Sequence, residues 1–128
     1  MRVLIDSHTL IWYVDQDKLL SLTSHATISD PANELLLSAG SIWEIGIKVG
    51  LGRLLLTQPF KRWMTQAISD LNVTVLPLSV EYVDVQSNLP KHHGDPFDRL
   101  LVAQAIVEQV SIISADASLD AYGITRIW

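Results

Sequence analysis

The chain has 128 residues, 48% of them hydrophobic and 18% charged, with a formal net charge of −5. So much apolar side chain excludes disorder, the length suits one domain over residues 1–128, and the acidic balance excludes a strongly basic groove of the usual phosphate-neutralising kind. Cysteine is absent, which excludes disulfides, thiolate metal sites and a cysteine nucleophile, and fits a reducing compartment.

The opening run MRVLIDSHTLIWYV is apolar, but Asp6 and His8 interrupt it and no small-residue cleavage site follows. No stretch reaches the ~18 consecutive apolar residues of a membrane-spanning helix, so a cytoplasmic protein with no membrane partner is expected. Residues 2–5 form a short apolar run stopped by Asp6, the pattern of a buried strand. From Ser7 onward, Leu10, Ile11 and Val14 recur at helical spacing. Asp30-Pro31 breaks the chain, and ELLLS at 34–38 is a second buried strand. Ser41 is expected to open a helix that runs to about Val49 and ends at Gly50 and Gly52.

Residues 59–70 read as an amphipathic helix with Phe60, Trp63, Met64, Ala67 and Ile68 on one face. The β-branched run 73–76 is a strand, followed by Pro77 and a helix over 80–87. The loop LPKHHG leads to Asp95-Pro96, where a helix begins that carries Leu100, Leu101, Ala103, Ala105 and Ile106. SIIS at 111–114 is a further strand, 117–122 a short helix and 125–128 a terminal strand. Strands alternating with helices in this way imply an α/β fold, a central parallel sheet with helices on both faces.

Four acids fall at telling places: Asp6 directly after the first strand, Glu44 one turn into a helix, Asp98 in a first helical turn, and Asp116 two residues after SIIS. In an open parallel sheet, strand C-termini and the helix N-termini that follow them share one edge, and that edge carries the site. Each acid also has a capping reading. Ser41 and Glu44 have the spacing of a capping box, Asp95 suits the N-cap before Pro96 with Asp98 favoured by the helix dipole, and Asp116 suits the cap of 117–122. Together the balance shifts, because carboxylates gathered on one edge repel one another unless a cation neutralises them. An all-oxygen cluster without cysteine favours Mg2+ or Mn2+ over Zn2+, and an ion so held typically works on phosphate oxygens.

Other residues carry weaker signals. Ser7 is placed either to orient a water beside a metal or to cap the first helix. His92 and His93 are candidate proton donors in a polar loop. Lys48 suits an i, i+4 ion pair with Glu44 better than a phosphate contact. Arg53 and Arg99 are cations that could meet a phosphate backbone. Trp12, Trp43 and Trp63 sit at core spacing and are expected to pack.

The segments VLIDSHTLIW, SAGSIWEIGIKVGLGRL, HHGDPFDRLLVAQA and SADASLDAYG together resemble the PIN-domain family, and within it the VapC-type toxins of toxin–antitoxin pairs. The resemblance runs over essentially the whole chain in order. It implies a three-layer α/β/α sandwich and a ribonuclease dependent on Mg2+ or Mn2+, with the acidic quartet on Asp6, Glu44, Asp98 and Asp116 serving as catalytic and metal-binding residues. Asp6 and Asp98 would hold the principal metal, with Glu44 and Asp116 as further ligands directly or through water. Ser7, Asp95 and Arg99 would support them. The implied partners are an RNA substrate, a second copy of the chain in a homodimer, and a cognate antitoxin protein gripped by the helical stretch 42–56. Hydrolysis would leave a 5′-phosphate and a 3′-hydroxyl.

Three other readings are weaker. A phospho-receiver domain needs an acidic doublet after the first strand, where Asp6 stands alone, and a dehalogenase-like phosphatase needs Asp-x-Asp where His8 occupies the second position. A non-catalytic α/β partner-binding module, whose acids only cap helices, predicts no metal dependence.

Overall fold

The computed structural model describes every residue, Met1–Trp128. Strands β1 (Arg2–Ile5), β2 (Glu34–Ser38), β3 (Thr74–Leu76), β4 (Ser111–Ile113) and β5 (Arg126–Ile127) form one sheet in the order β3-β2-β1-β4-β5, and every neighbouring pair is parallel. The helices are α1 (Ser7–Val14), α2 (Leu22–Ser29), α3 (Ala39–Gly50), α4 (Phe60–Leu71), α5 (Val80–Ser87) and α6 (Pro96–Glu108), with a 3-10 helix over Ala117–Tyr122.

The pleat divides the apolar residues between two cores. Val3, Ile5, Leu35, Leu37 and Ile113 point to one face, where Leu10, Ile11, Ile28, Ile45, Trp63 and Met64 from α1 to α4 cover them. Leu4, Leu36 and Ile112 point to the other, beneath Tyr82 of α5, Leu100, Leu101, Val102 and Ala105 of α6, and Leu119. Strands buried on both faces read as unbroken apolar runs, and the result is the three-layer α/β/α sandwich that the alternation of elements implied.

Register sets the site. Ile5 lies level with Leu37 on one side and Ile113 on the other. The next residue along each strand is therefore Asp6, Ser38 and Ser114, side by side on the C-terminal edge. The strand order turns around at β1, since β2 lies to one side and β4 to the other, and such a switch point opens a crevice at that edge.

Two expectations need correction, and two elements are newly defined. Helix α3 starts at Ala39, with the last residue of β2, Ser38, as its N-cap: the Ser38 hydroxyl accepts from the Gly40 amide at 3.0 Å. No loop separates strand from helix, so Ser41 lies inside the first turn and forms no capping box with Glu44. Trp43 does not pack into the core; Gly40, Ser41, Glu44 and Ile45 form the buried stripe of α3, which turns Trp43 outward, 63% exposed, against the edge of Phe97. The residues at 117–122 form a 3-10 helix. Helix α2 was legible in no apolar period, because only Ser24 and Ile28 of it are buried; its local signal is the N-cap Ser21, whose hydroxyl accepts from the Ser24 amide at 3.0 Å. The remaining boundaries differ by a residue or so at each end.

Helices α3 and α6 meet without spacing at Gly40. A Cβ there would come within 2.6 Å of a Leu100 methyl, so the absent side chain lets the two helix N-termini approach, and with them Glu44 and Asp98.

Candidate metal centre

Asp6 caps α1: its Oδ1 accepts from the Thr9 amide at 2.8 Å. Its backbone amide donates to the Ile113 carbonyl at 3.2 Å, and the buried Thr9 hydroxyl donates to the same carbonyl at 3.1 Å, so β4 fixes both ends of the first helical turn. No protein donor reaches the other Asp6 oxygen. Asp6, not Ser7, is therefore the cap. Ser7 is buried and its hydroxyl donates to Glu44 Oε1 at 2.7 Å.

Glu44 is only 7% exposed. Its second oxygen, Oε2, accepts from Lys48 Nζ at 2.8 Å, one helical turn away. Both oxygens are thus engaged inside the protein, and the lysine offsets the cost of a carboxylate taken out of water.

Asp95 caps α6, with Oδ1 accepting from the amides of Phe97 at 2.9 Å and Asp98 at 3.2 Å. Asp98 sits one turn in, partly buried, and its carboxylate accepts no hydrogen bond from the protein. Its pKa is pushed up from the ordinary 3.8 to about 6: burial is the first cause, then the negative charges of Asp95, Glu44 and Asp116, while His93 pulls it back. Asp116 caps the 3-10 helix, with Oδ1 accepting from the Ser118 amide at 3.0 Å and the Ser118 hydroxyl at 2.6 Å, and its own amide donates to Ser114 Oγ at 3.1 Å.

The structure therefore brings Glu44, Asp95, Asp98 and Asp116 into one electrostatic field, and register places Asp6 on the same edge, beside the Ser7 that reaches Glu44. Capping accounts for Asp6, Asp95 and Asp116 in part. It accounts for neither Asp98, which bonds to no amide, nor Glu44, which lies in the second turn of its helix.

Two neighbours were only half legible. Arg99 does not face outward: its guanidinium donates to the carbonyls of Gln86 at 2.9 Å, Pro90 at 3.0 Å and Leu89 at 3.4 Å, which pins the chain between α5 and α6. That segment carries His93, whose two ring nitrogens are buried without a protein partner, as is the hydroxyl of Tyr122; the two rings meet edge to face at 5.4 Å. The doubled histidine before Asp95 was the one sequence signal, and no periodicity could orient it.

No three Asp, Glu or His residues close into a preformed cage for a metal ion. The donor set nevertheless suits a hard divalent cation that keeps much of its water, since such ions use one or two carboxylates rather than an all-protein cage. Asp98 offers two unengaged oxygens, and Asp6 and Asp116 one each. Asp98, lifted to about 6 first by burial and then by the charges of its acidic neighbours, is a group that a bound cation would relieve.

A family model described as PIN domain matches residues 3–124. Ribonuclease VapC22 of Mycobacterium tuberculosis is 30% identical over 122 residues, covering 94% of this chain and 91% of that protein. Among solved structures, VapBC2 from Rickettsia felis, bound to a DNA fragment from its promoter, superposes with a TM-score of 0.75 at 10% identity, covering 98% of this chain and 97% of that one. FitAcB from Neisseria gonorrhoeae gives 0.64 at 16% identity, covering 97% and 95%. At those identities the two superpositions speak for the fold.

Proposed function

The chain belongs to the PIN-domain family, and from that premise we propose that it is a Mg2+- or Mn2+-dependent endoribonuclease, the toxin of a toxin–antitoxin pair. The observation that carries the nuclease reading is Asp98: a carboxylate with no protein partner, raised to about 6 by burial and by three neighbouring acids, on the sheet edge where the strand order turns around at β1. A binding module whose acids merely cap helices has no use for such a group. The toxin role and the antitoxin partner are supported by the likeness to Ribonuclease VapC22 and to the VapBC and FitAcB structures.

Asp6 and Asp98 would hold the principal metal, with Asp116 contributing its free oxygen. Glu44, bonded on both oxygens, would act through water. When bound, the ion supplies Lewis acidity toward a phosphodiester oxygen and makes a nucleophile of water near neutral pH. The chain's own residues set the stage. Thr9 and the Ile113 carbonyl hold Asp6 in one orientation, and Ser7 and Lys48 do the same for Glu44. Arg99 braces the segment that presents Asp95 and His93, so the acids need no rearrangement to face a substrate. The net result is hydrolysis to a 5′-phosphate and a 3′-hydroxyl. RNA is the substrate, and the chain acts as a homodimer in the cytoplasm; no helix is long and apolar enough to cross a membrane.

Purified protein is to be incubated with single-stranded RNA, structured RNA and DNA in Mg2+, Mn2+ or chelator, beside Asp6→Asn. RNA cleavage that needs the ion and is lost in the variant is expected; cleavage indifferent to both sinks the mechanism. Growth arrest on expression, relieved by Asp98→Asn, is expected of a toxin, and equal tolerance of both forms counts against one.

A further inference from the structure

Helix α3 ends in a turn that folds one cation back over another. The Gly52 amide donates to the Val49 carbonyl at 3.1 Å and the Arg53 amide to the Lys48 carbonyl at 2.9 Å, with Gly52 in the left-handed region at φ +70°. This is the two-bond closure that a glycine after a helix permits. It carries Arg53 beside Lys48, whose ammonium is held by Glu44.

Between this turn and the start of α1 lies a recess of about 180 Å3, lined by Ser7, His8, Glu44, Lys48, Arg53 and Leu54 among others. Its one carboxylate, Glu44, is already balanced by Lys48. Arg53 makes no ion pair and no side-chain hydrogen bond, so the recess carries an uncompensated positive charge. It shares Ser7 and Glu44 with the acidic centre and thus adjoins it. Ligand pockets for drug-sized molecules run to roughly 300–1,000 Å3, so this one suits a single phosphate with its sugar rather than a whole base-bearing nucleotide.

On the premise that the chain cleaves RNA, we propose that this recess is a phosphate subsite for the nucleotide beside the scissile bond, with Arg53 as its anion-binding residue and the Gly52 turn as the device that places it. A guanidinium matches two phosphate oxygens at once. On a chain of net charge −5, one cationic recess next to the acidic edge fixes which way the strand runs across it. A segment of an acidic protein partner is the rival occupant. It is disfavoured because the recess adjoins a field of carboxylates that repels such a peptide, whereas an RNA strand is met there by the ion it needs for cleavage.

The test uses the full chain and a labelled mixed-sequence single-stranded RNA, with Ca2+ in place of Mg2+ to hold cleavage back, and reads affinity against salt. Arg53→Ala is expected to weaken binding about tenfold, the scale of one charge-assisted contact. It should also flatten the slope of log affinity on log salt by about 0.7, one phosphate's share for a single strand. Arg53→Lys keeps the slope, and Gly52→Val, which displaces the arginine without removing it, reproduces the loss; circular dichroism checks that each variant is folded. In Mg2+, Arg53→Ala should raise KM more than it lowers kcat. Unchanged affinity and slope in Arg53→Ala, while the parent chain binds and cleaves RNA, overturn the subsite alone. No binding or cleavage by the parent chain overturns the nuclease reading and the subsite with it. Weakened binding of a glutamate-rich peptide with RNA affinity intact overturns the proposal in favour of the acidic partner.

Discussion

Replacing Asp98 by Asn should make the metal-free protein more stable while it disables the site. A carboxyl raised from 3.8 to about 6 holds its proton more tightly in the folded chain than in the unfolded one. As pH rises through that window the unfolded state gives up its proton first, so folding loses stability, and above about 6 the whole cost is present. In full it amounts to about 3 kcal/mol. Asp98 is only partly buried, so water screens part of it and about 1–2 kcal/mol is the fair expectation. Asn keeps the shape without the charge. In chelator near pH 7.5, Asp98→Asn should therefore melt roughly 5 °C above the parent chain, and the gap should close below about pH 4, where both states of the parent are protonated. Adding Mg2+ or Mn2+ should raise the parent's Tm and leave the variant's nearly unchanged. Scanning calorimetry or a fluorescence melt at the two pH values decides it. A variant no more stable near pH 7.5, or one whose advantage persists undiminished near pH 4, refutes the idea that repulsion and burial at Asp98 strain the metal-free site.

Ser7→Ala removes the donor to Glu44 Oε1 and leaves a buried carboxylate oxygen without its hydrogen bond; a loss of about 1–3 kcal/mol is expected in urea unfolding, with a larger fall in cleavage than in RNA binding. Arg99→Ala frees the carbonyls of Gln86, Leu89 and Pro90; faster amide hydrogen exchange confined to the segment before α6 should result, and unchanged exchange there would show that the clamp is idle. Gly40→Ala brings a methyl to 2.6 Å from Leu100; overpacking of about 1–3 kcal/mol outweighs the gain in helix propensity of about 1 kcal/mol, for a net loss of about 1 kcal/mol. That variant should also lower the Asp98 pKa, read by NMR titration, because α3 and Glu44 are pushed away. Metal affinity measured calorimetrically should fall about tenfold per pH unit below about 6, as protons compete for Asp98.

The sequence by itself determined the layers. Runs such as RVLI and ELLLS are too short for helices and apolar at every position, so they had to be strands covered on both faces, and the helical stretches between them had to cover them. It also determined that acids stand at the ends of those strands, since Asp6 and Asp116 follow β1 and β4 within a few residues and Asp98 follows a proline that can only start a helix. What it could not supply was any relation between residues distant along the chain. Ser41 and Glu44 have the spacing of a capping box, but capping depends on where the first turn begins, and β2 runs straight into α3 with Ser38 as the cap. Whether Ser7 caps a helix or serves Glu44 is a choice between a local and a long-range partner, and packing of α1 against α3 decided it. The segment before α6 that carries His93 has no period to read, and the pattern of α6 does not say where Arg99 reaches, so only tertiary structure shows that one meets Tyr122 edge to face and the other clamps carbonyls. Local patterns encode which residues can form an element; which charges come to share a volume depends on how the elements pack. Gly40, an unremarkable residue in the sequence, is where α3 and α6 come close enough for Glu44 to act on Asp98.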